Sequence, residues 1–133
     1  MREVVKAVIH KDHKYLLQLR DNDPAISCSD TWSLFGGEVD EGESFEEALK
    51  RELEEELSWY PDRLICLAKS TNKKVNCNIT FYLVNCKVPK DSLVLGEGQD
   101  MGWFRLEAII SLSNTPDLIK NIIKKAARHL GRL

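Results

Sequence analysis

The chain of 133 residues amounts to one ordinary domain, because chains usually divide into domains only beyond about 250 residues. Its composition, 43% hydrophobic and 30% charged, is typical of soluble globular proteins and excludes a disordered or low-complexity chain. The net charge is −2, but residues 38–56 contain ten of the acidic residues and only two basic ones. This acidic window indicates either a solvated helix or a cation site, and the position of the acids on the helix must decide.

Nothing in the sequence predicts a membrane-spanning or exported protein. The longest uninterrupted apolar stretch is 64–68, whereas a membrane span needs about 20 such residues. Charged residues interrupt the N-terminus before an export signal could form. We therefore expect a cytoplasmic protein that makes no membrane contact. The four cysteines, Cys28, Cys66, Cys77 and Cys86, lack metal-site spacing and are expected to be reduced. The last three lie in strand-like apolar segments and are expected in core or sheet positions.

The first part of the chain predicts three strands and a loop. Segments rich in Val, Ile, Leu and Tyr predict strands over 3–9 and 14–20, joined by a short polar turn. Residues 21–30 are polar, contain a proline and predict a loop. A short strand over 32–35 is expected to be closed by the Gly36-Gly37 pair, where the absence of side chains permits unusual dihedrals and close approach of a ligand.

A helix is expected next. A capping-box pattern from Ser44 to Glu47 marks its start and Pro61 limits its end, which gives about 14 helical residues. The spacing of Glu47 with Arg51, like that of Glu46 with Lys50, predicts ion pairs one turn apart on the helix surface.

The second half of the chain predicts a hairpin, a further strand and two helices. The hairpin strands cover 63–71 and 76–88, and a last strand covers 100–105. A short helix over 106–112 precedes a final amphipathic helix that Thr115-Pro116-Asp117 caps and that continues through His129, with Pro116 at its first position and Gly131 past its end. Its basic residues complement the helix dipole, so we do not expect nucleic acid as a partner. The order of elements predicts an α/β fold, a mixed sheet with helices on its faces.

Three acidic residues of the predicted acidic helix lie on its apolar side. With Phe45 taken as the origin and about 100° per residue, the apolar arc runs from about 300° to about 120°. Glu54 falls on the opposite side of the helix, whereas Glu52 and Glu56 fall inside this arc and Glu55 borders it. Carboxylates crowded in this way repel one another and lose hydration unless a cation compensates. Oxygen ligands with this spacing suit Mg²⁺, which leaves coordination positions for substrate phosphates.

The same residues carry a family resemblance. From Gly37 the chain continues with five residues, Glu43, seven residues and then Arg51-Glu52-Leu53-Glu54-Glu55-Glu56-Leu57-Ser58-Trp59. This resembles the Nudix box of the MutT-like Nudix hydrolases, G-x5-E-x7-R-E-U-x-E-E-x-G-U. Ser58 stands where the family has Gly, which affects the exit from the helix rather than the ligands. Phe35 stands where many members have Pro, which bears on loop shape only.

The resemblance implies a Nudix-type α/β/α sandwich, formed by one domain over 1–133, and a hydrolase. It implies that Glu52, Glu55, Glu56 and the Gly37 carbonyl bind Mg²⁺ or Mn²⁺, and that Arg51 and Glu43 orient the loop and the helix. Glu97 is expected to bind metal or to accept the proton of the attacking water. The alternative for Glu97 is a turn carboxylate between two glycines.

The expected reaction is hydrolysis of a diphosphate bond in a nucleoside diphosphate linked to a group X, with a nucleoside triphosphate or a nucleotide sugar favoured. Candidate substrate contacts are Arg20, Gly36, Gly37 and Tyr82, while Trp103 and Phe104 are further aromatic candidates for stacking on a base. For each aromatic residue a core role is the alternative.

Two other functions stay open. One is a Nudix-fold regulatory module that binds a nucleotide without cleaving it, and the other is an isomerase of diphosphate substrates, which would need a catalytic cysteine and a glutamate in the pocket. A homodimer is also left open, because dimers are frequent among the proteins that this chain resembles.

Overall fold

The structure is a computed structural model that describes residues 1–20, 30–96 and 100–131. Its elements, in chain order, are β1 (Arg2–Lys11), β2 (Lys14–Leu19), β3 (Trp32–Ser33), β4 (Phe35–Glu38), α1 (Phe45–Leu57), β5 (Ile65–Asn72), β6 (Cys77–Asn85), a 3₁₀ turn (Lys90–Ser92), β7 (Asp100–Phe104), α2 (Leu106–Ser111) and α3 (Asp117–His129). Over these ranges of the chain, no helix is long and apolar enough to span a membrane.

The strands form one mixed sheet. The main order is β3-β2-β1-β6-β5, while β4 also pairs with β1 and β7 with β2. Strands β1 and β6 are parallel over their full pairing, from Arg2 opposite Cys77 to His10 opposite Asn85, and the other pairs are antiparallel. Because parallel neighbours need a long crossover, the segment between them has room for α1 and β5. The carboxyl ends of β1 and β6 therefore meet at one edge of the sheet.

Apolar side chains leave β1 alternately on the two faces of the sheet. Val5, Ala7 and Ile9 pack in the core that includes residues of α1, while Val8 packs in the core that includes residues of α2 and α3. This period of two is the one that a strand buried on both faces requires. The three layers confirm the predicted α/β/α sandwich, and they place the acidic helix on one face and α3 on the other.

The prediction that the Gly36-Gly37 pair closes a strand is wrong. Both glycines lie inside β4, opposite Lys6 and Val5 of β1, and the expected strand over 32–35 is divided between β3 and β4. The physical reason is close packing of two backbones. Gly36 has a φ of 148°, and a Cβ there would overlap the carbonyl oxygen of Val5. Only glycine lets β4 come this close to β1.

The capping box of α1 is confirmed, but the helix is shorter than Pro61 would allow. Ser44 Oγ accepts from the Glu47 N–H at 3.1 Å, and a Glu47 carboxylate oxygen accepts from the Ser44 N–H at 3.0 Å. The helix ends at Leu57 because Ser58 adopts the left-handed conformation, with φ 55° and ψ 37°, while its N–H donates to the carbonyl of Glu54. The departure from the Nudix box therefore falls at a residue whose backbone favours glycine.

Replacing Ser58 by glycine is expected to stabilise the protein by about 1 kcal/mol, because a residue with a Cβ pays roughly that cost in the left-handed region. For a domain of this size the melting temperature would rise by a few degrees, on the order of 3–5 °C, in a circular-dichroism melt. The control is Ser111→Gly at the last helical residue of α2, which should lower stability. A Ser58→Gly protein that melts no higher than the parent would contradict this assignment of strain.

Candidate active site

Arg51 is the centre of an ionic network that ties α1 to the loop before it. Its Nε and Nη2 donate to the two carboxylate oxygens of Glu43, at 2.7 and 2.9 Å. Nη2 also donates to the carbonyl of Glu38 at 3.2 Å and lies 3.4 Å from the carboxylate of Asp40. A bidentate arginine–carboxylate pair fixes the orientation of both partners. This is the geometry that the orienting role expected of Arg51 and Glu43 requires.

The same guanidinium faces two of the three candidate metal ligands. Its Nη1 donates to Glu52 Oε1 at 3.0 Å and lies 3.4 Å from Glu55 Oε1. The Glu52 side chain is 18% exposed and that of Glu55 is 59% exposed. The hydrogen bond to Glu43, more than that to Glu52, raises the pKa of Arg51 above its usual value. Arg51 is therefore a fixed cation among the acidic side chains of α1.

The prediction that Glu47 pairs with Arg51 is wrong. Arg51 forms its ion pairs with Asp40, Glu43, Glu52 and Glu55, whereas the Glu47 carboxylate accepts from the backbone of Ser44. The competing partner is the helix N-terminus, whose free N–H groups attract a carboxylate in the first turn.

Glu56 lies against β4 rather than in solvent. It is 7% exposed, and its Oε1 accepts from the Gly36 N–H at 3.2 Å. Gly37, the next residue of β4, leaves space that Glu52 uses, since a Cβ at Gly37 would lie 2.5 Å from Glu52 Oε1. The two glycines of β4 thus let the carboxylates of α1 reach the backbone of the sheet.

The candidate ligands of a divalent cation are the carboxylates of α1 and the carbonyl of Gly37. As placed, no three Asp, Glu, His or Cys side chains within residues 1–20, 30–96 and 100–131 form a ready metal-binding group. Glu52 and Glu55 face Arg51, and Glu56 faces Gly36. The chemistry of the donors nevertheless fits Mg²⁺ or Mn²⁺, because one turn of α1 supplies only oxygen ligands beside a strand whose glycine leaves room. Glu52, Glu55, Glu56 and the Gly37 carbonyl would hold the cation.

Glu97 lies outside the described residues. The chain leading to it is fixed to the C-terminal end of α1: the Gly96 N–H donates to the carbonyl of Glu56 at 2.8 Å, and the Val94 N–H to that of Leu57 at 3.1 Å. A Cβ at Gly96 would lie 3.0 Å from the carbonyl oxygen of Glu55. The residue before Glu97 is therefore in contact with the turn that carries the candidate ligands.

Arg20, a candidate substrate contact, is half-buried just beyond β2. Its N–H donates to the carbonyl of Thr31 at 3.0 Å, and its carbonyl accepts from the Asp30 N–H at 3.2 Å. These two bonds close the base of the loop that the sequence predicts over 21–30. All of that loop before Asp30 lies outside the described residues.

The aromatic candidates lie mainly in the two cores. Tyr82 is 7% exposed in the core beside α1, where burial raises the pKa of its hydroxyl. Phe104 meets Trp32 edge to face, with ring centroids 4.9 Å apart. Trp103 is partly buried, and Lys90 Nζ lies 5.4 Å from the centre of its ring. These positions correspond to the core role that the sequence left open, and stacking by any of the rings stays a prediction.

The described cysteines give little support to an isomerase. Cys77 and Cys86 are buried and Cys66 is exposed on β5, while Cys28 lies outside the described residues. Burial raises the pKa of the Cys86 thiol, which disfavours the reactive thiolate.

Asp40 belongs to the network although it is not among the site residues that the sequence predicted. Its N–H donates to Glu43 Oε1 at 2.9 Å while its carboxylate faces Arg51. The signal was present, because an Asp three residues before a Glu in a Gly-containing turn is a common local arrangement for such bonds.

Glu43 is expected to make the stability of the protein depend on acid pH. Hydrogen bonds from Arg51, and then from the Asp40 backbone, lower the pKa of Glu43 from 4.5 to about 2. Because the pKa is lower in the folded state, the stabilisation is complete above about pH 4.5 and is lost as the pH falls towards 2. Urea denaturation from pH 7 to pH 2 should show a Glu43→Gln deficit at neutral pH that disappears near pH 2. The exposed neighbour Glu41→Gln is the control, and a deficit that persists at pH 2 would contradict this account.

Comparison with known proteins finds a family model and relatives that cover most of the chain. The NUDIX domain model matches residues 1–126. The nucleoside triphosphatase NudI of Escherichia coli O81 (strain ED1a) is 28% identical over 121 residues, which cover 82% of this chain and 85% of that protein.

Two solved structures show the same fold. The MutT protein from Methanosarcina mazei Go1 superposes with a TM-score of 0.80 at 21% identity, over 97% of this chain and 94% of that one. The Ap4A hydrolase of C. elegans, solved as a binary complex, gives 0.79 at 22% identity, over 98% and 99%. With the family match and the Arg51 network, these comparisons show that the chain belongs to the Nudix hydrolase family.

Proposed function

We propose that this protein hydrolyses a diphosphate bond in a nucleoside diphosphate linked to a group X, and that a nucleoside triphosphate is the substrate, ahead of a nucleotide sugar. The observation that carries the proposal is the set of α1 carboxylates gathered by Arg51 against the Gly36-Gly37 backbone. The name of the NudI relative supports the choice of a nucleoside triphosphate.

The charge of the site makes a divalent cation a requirement of this proposal. Arg51 is one cation among five carboxylates, those of Asp40, Glu43, Glu52 and Glu55 in contact with it and that of Glu56 nearby on the same helix. A triphosphate would be repelled from such a site at short range. When bound, Mg²⁺ or Mn²⁺ neutralises phosphate charge and lowers the pKa of a water.

The residues of the chain have separate tasks in this proposal. Arg51 and Glu43 hold the loop and the helix in register, so that Glu52 and Glu56 lie beside the glycines of β4 while Glu55 stays next to Arg51. Glu52, which is mostly buried and oriented by Arg51, is a candidate to remove the proton from the attacking water. Glu97 is the other candidate base. Attack on phosphorus releases a nucleoside monophosphate when X is a phosphate or a phosphorylated group.

The proposal is tested by a screen with identified products. Purified protein is incubated with nucleoside triphosphates, nucleotide sugars, ADP-ribose and dinucleoside polyphosphates, with Mg²⁺ or with EDTA. We expect Mg²⁺-dependent release of a nucleoside monophosphate, fastest from a triphosphate, and no turnover in EDTA. Tight nucleotide binding without cleavage of any compound would favour the regulatory module instead, and turnover that persists in EDTA would refute the cation requirement.

A further inference from the structure

A cavity of about 230 Å³ lies across the sheet from the Arg51 network. It opens where the carboxyl ends of β1 and β6 meet the C-terminal end of α3 and the loop between α1 and β5. Its polar lining comes from His10, Asp62, Arg63, Asn85, Lys87 and His129. His10 and Asn85 are register partners of the parallel pair, so the pairing itself places them side by side. Ligand sites in open α/β sheets commonly form at the carboxyl ends of parallel strands.

The charge of this cavity is opposite to that of the whole protein. Arg63 and Lys87 contribute two positive charges against the single negative charge of Asp62, and His129 adds an N–H donor in either protonation state. The chain as a whole has a net charge of −2. A concave positive surface on an acidic protein selects anions.

Several donors at the cavity have no partner in the part of the chain that the structure describes. Among those residues, no carboxylate lies within ion-pair distance of Arg63, and the side chains of Asn85 and His129 form no hydrogen bond. Lys87 Nζ is 3.9 Å from the Asp62 carboxylate, and both side chains are mostly exposed, so this ion pair is weak. Arg63 therefore presents a planar set of donors that matches an oxyanion.

The partial negative charge at the C-terminal end of α3 opposes an anion in this cavity, but its effect is smaller than that of the charged side chains. The C-terminal end of a helix carries the equivalent of about half a negative charge. In α3 this end is partly satisfied, because the Leu130 N–H donates to the carbonyls of Ala126 and Arg128 and the Gly131 N–H donates to that of Arg128. The net charge of +1 that Arg63, Lys87 and Asp62 give the lining, two positive charges less one negative, outweighs what remains.

We propose that this cavity is a second binding site, separate from the Arg51 network, for a small phosphate-type oxyanion, either phosphate or pyrophosphate. Its volume is below the roughly 300 Å³ at which pockets for drug-sized molecules begin, which favours a small ligand. The proposal rests on the cavity alone and does not depend on the proposed hydrolysis.

The test is a nuclear magnetic resonance titration of ¹⁵N-labelled protein in EDTA. Phosphate, pyrophosphate and adenosine monophosphate are added in separate experiments at constant ionic strength, with chloride as the control anion. We expect saturable shifts of the amide signals of Asn85, Lys87 and Leu130 with phosphate or pyrophosphate, while those of Gly36 and Gly37 stay in place. The tighter of the two ligands identifies the occupant.

Variants then distinguish specific binding in the cavity from general electrostatic attraction of anions to the protein. Arg63→Gln should weaken binding by about tenfold, as expected for one lost charge-assisted hydrogen bond. His129→Gln should also weaken it, whereas Asp62→Asn should tighten it. Lys74→Gln removes the same charge from the exposed turn between β5 and β6, at a distance from the cavity, and should leave affinity unchanged.

Four results would overturn the proposal. They are shifts that do not saturate, equal shifts with chloride, equal loss of affinity in Arg63→Gln and Lys74→Gln, and shifts confined to Gly36 and Gly37. Binding of adenosine monophosphate at Asn85 without binding of phosphate or pyrophosphate would also overturn it, because recognition would then depend on the base or the sugar.

Discussion

Replacing Glu55 by glutamine is expected to lower turnover by about 10²-fold or more while the protein remains folded. The variant keeps the shape of the side chain but removes one negative charge from the proposed cation site, and losing one such stabiliser of transition-state charge costs on this scale. The effect on stability should be below about 1 kcal/mol, because the Glu55 side chain is 59% exposed and its ion pair with Arg51 is long, at 3.4 Å. The measurement is kcat at saturating Mg²⁺ with the substrate that the screen identifies.

Glu54 supplies the matched control for this experiment. It precedes Glu55 on α1, is exposed and points away from β4, so Glu54→Gln removes the same charge without touching the site. We expect Glu54→Gln to keep parental turnover. If Glu55→Gln were fully active, or if both variants lost activity equally, the place of Glu55 in the cation site would be wrong.

Replacing Gly36 by alanine is expected to cost about 3 kcal/mol or more of folding free energy, the range typical of backbone strain combined with a steric overlap. The added Cβ would overlap the carbonyl oxygen of Val5, which belongs to a backbone and cannot rotate away. Strand β4 would have to separate from β1, and the hydrogen bond from Gly36 to Glu56 would be lost with it. Urea denaturation gives the change in the free energy of unfolding.

Gly42→Ala distinguishes strain in one residue from overlap between strands. Gly42 also has a positive φ, 85°, but a Cβ there would meet nothing within 4 Å. Its replacement should cost only about 1 kcal/mol, the usual penalty for a Cβ in the left-handed region. Failure of Gly36→Ala to fold agrees with the prediction, whereas equal destabilisation by the two substitutions would mean that the approach of β4 to β1 is not what requires glycine.

Features set by local interactions could be predicted from the sequence. The start of α1 follows from a capping box that spans four residues, and the final helix follows from an amphipathic period bounded by Pro116 and Gly131. The placing of Glu52 and Glu56 towards the sheet also follows from the period of the helix alone. In each case the interacting groups are close in the chain, so no knowledge of the fold is needed.

Which residues the side chains of α1 and the glycines of β4 contact depended on how the loop before α1 and the neighbouring strand fold. Helix spacing suggested Glu47 for Arg51, but the folded loop brings Glu43 and Asp40 to its guanidinium instead. For the same reason the sequence predicted that the Gly36-Gly37 pair ends a strand, although pairing with β1 keeps the pair inside β4.

By itself, then, the sequence determined the acidic helix, its N-terminal capping box and the family to which the chain belongs, because these depend on residue types at short, fixed spacings. Tertiary structure alone decided that β4 lies against Val5, that Glu56 reaches the Gly36 N–H, and that His10 and Asn85 share a positive cavity with Arg63. The physical reason is that strand pairing joins residues far apart in the chain, and its register cannot be read from either strand separately.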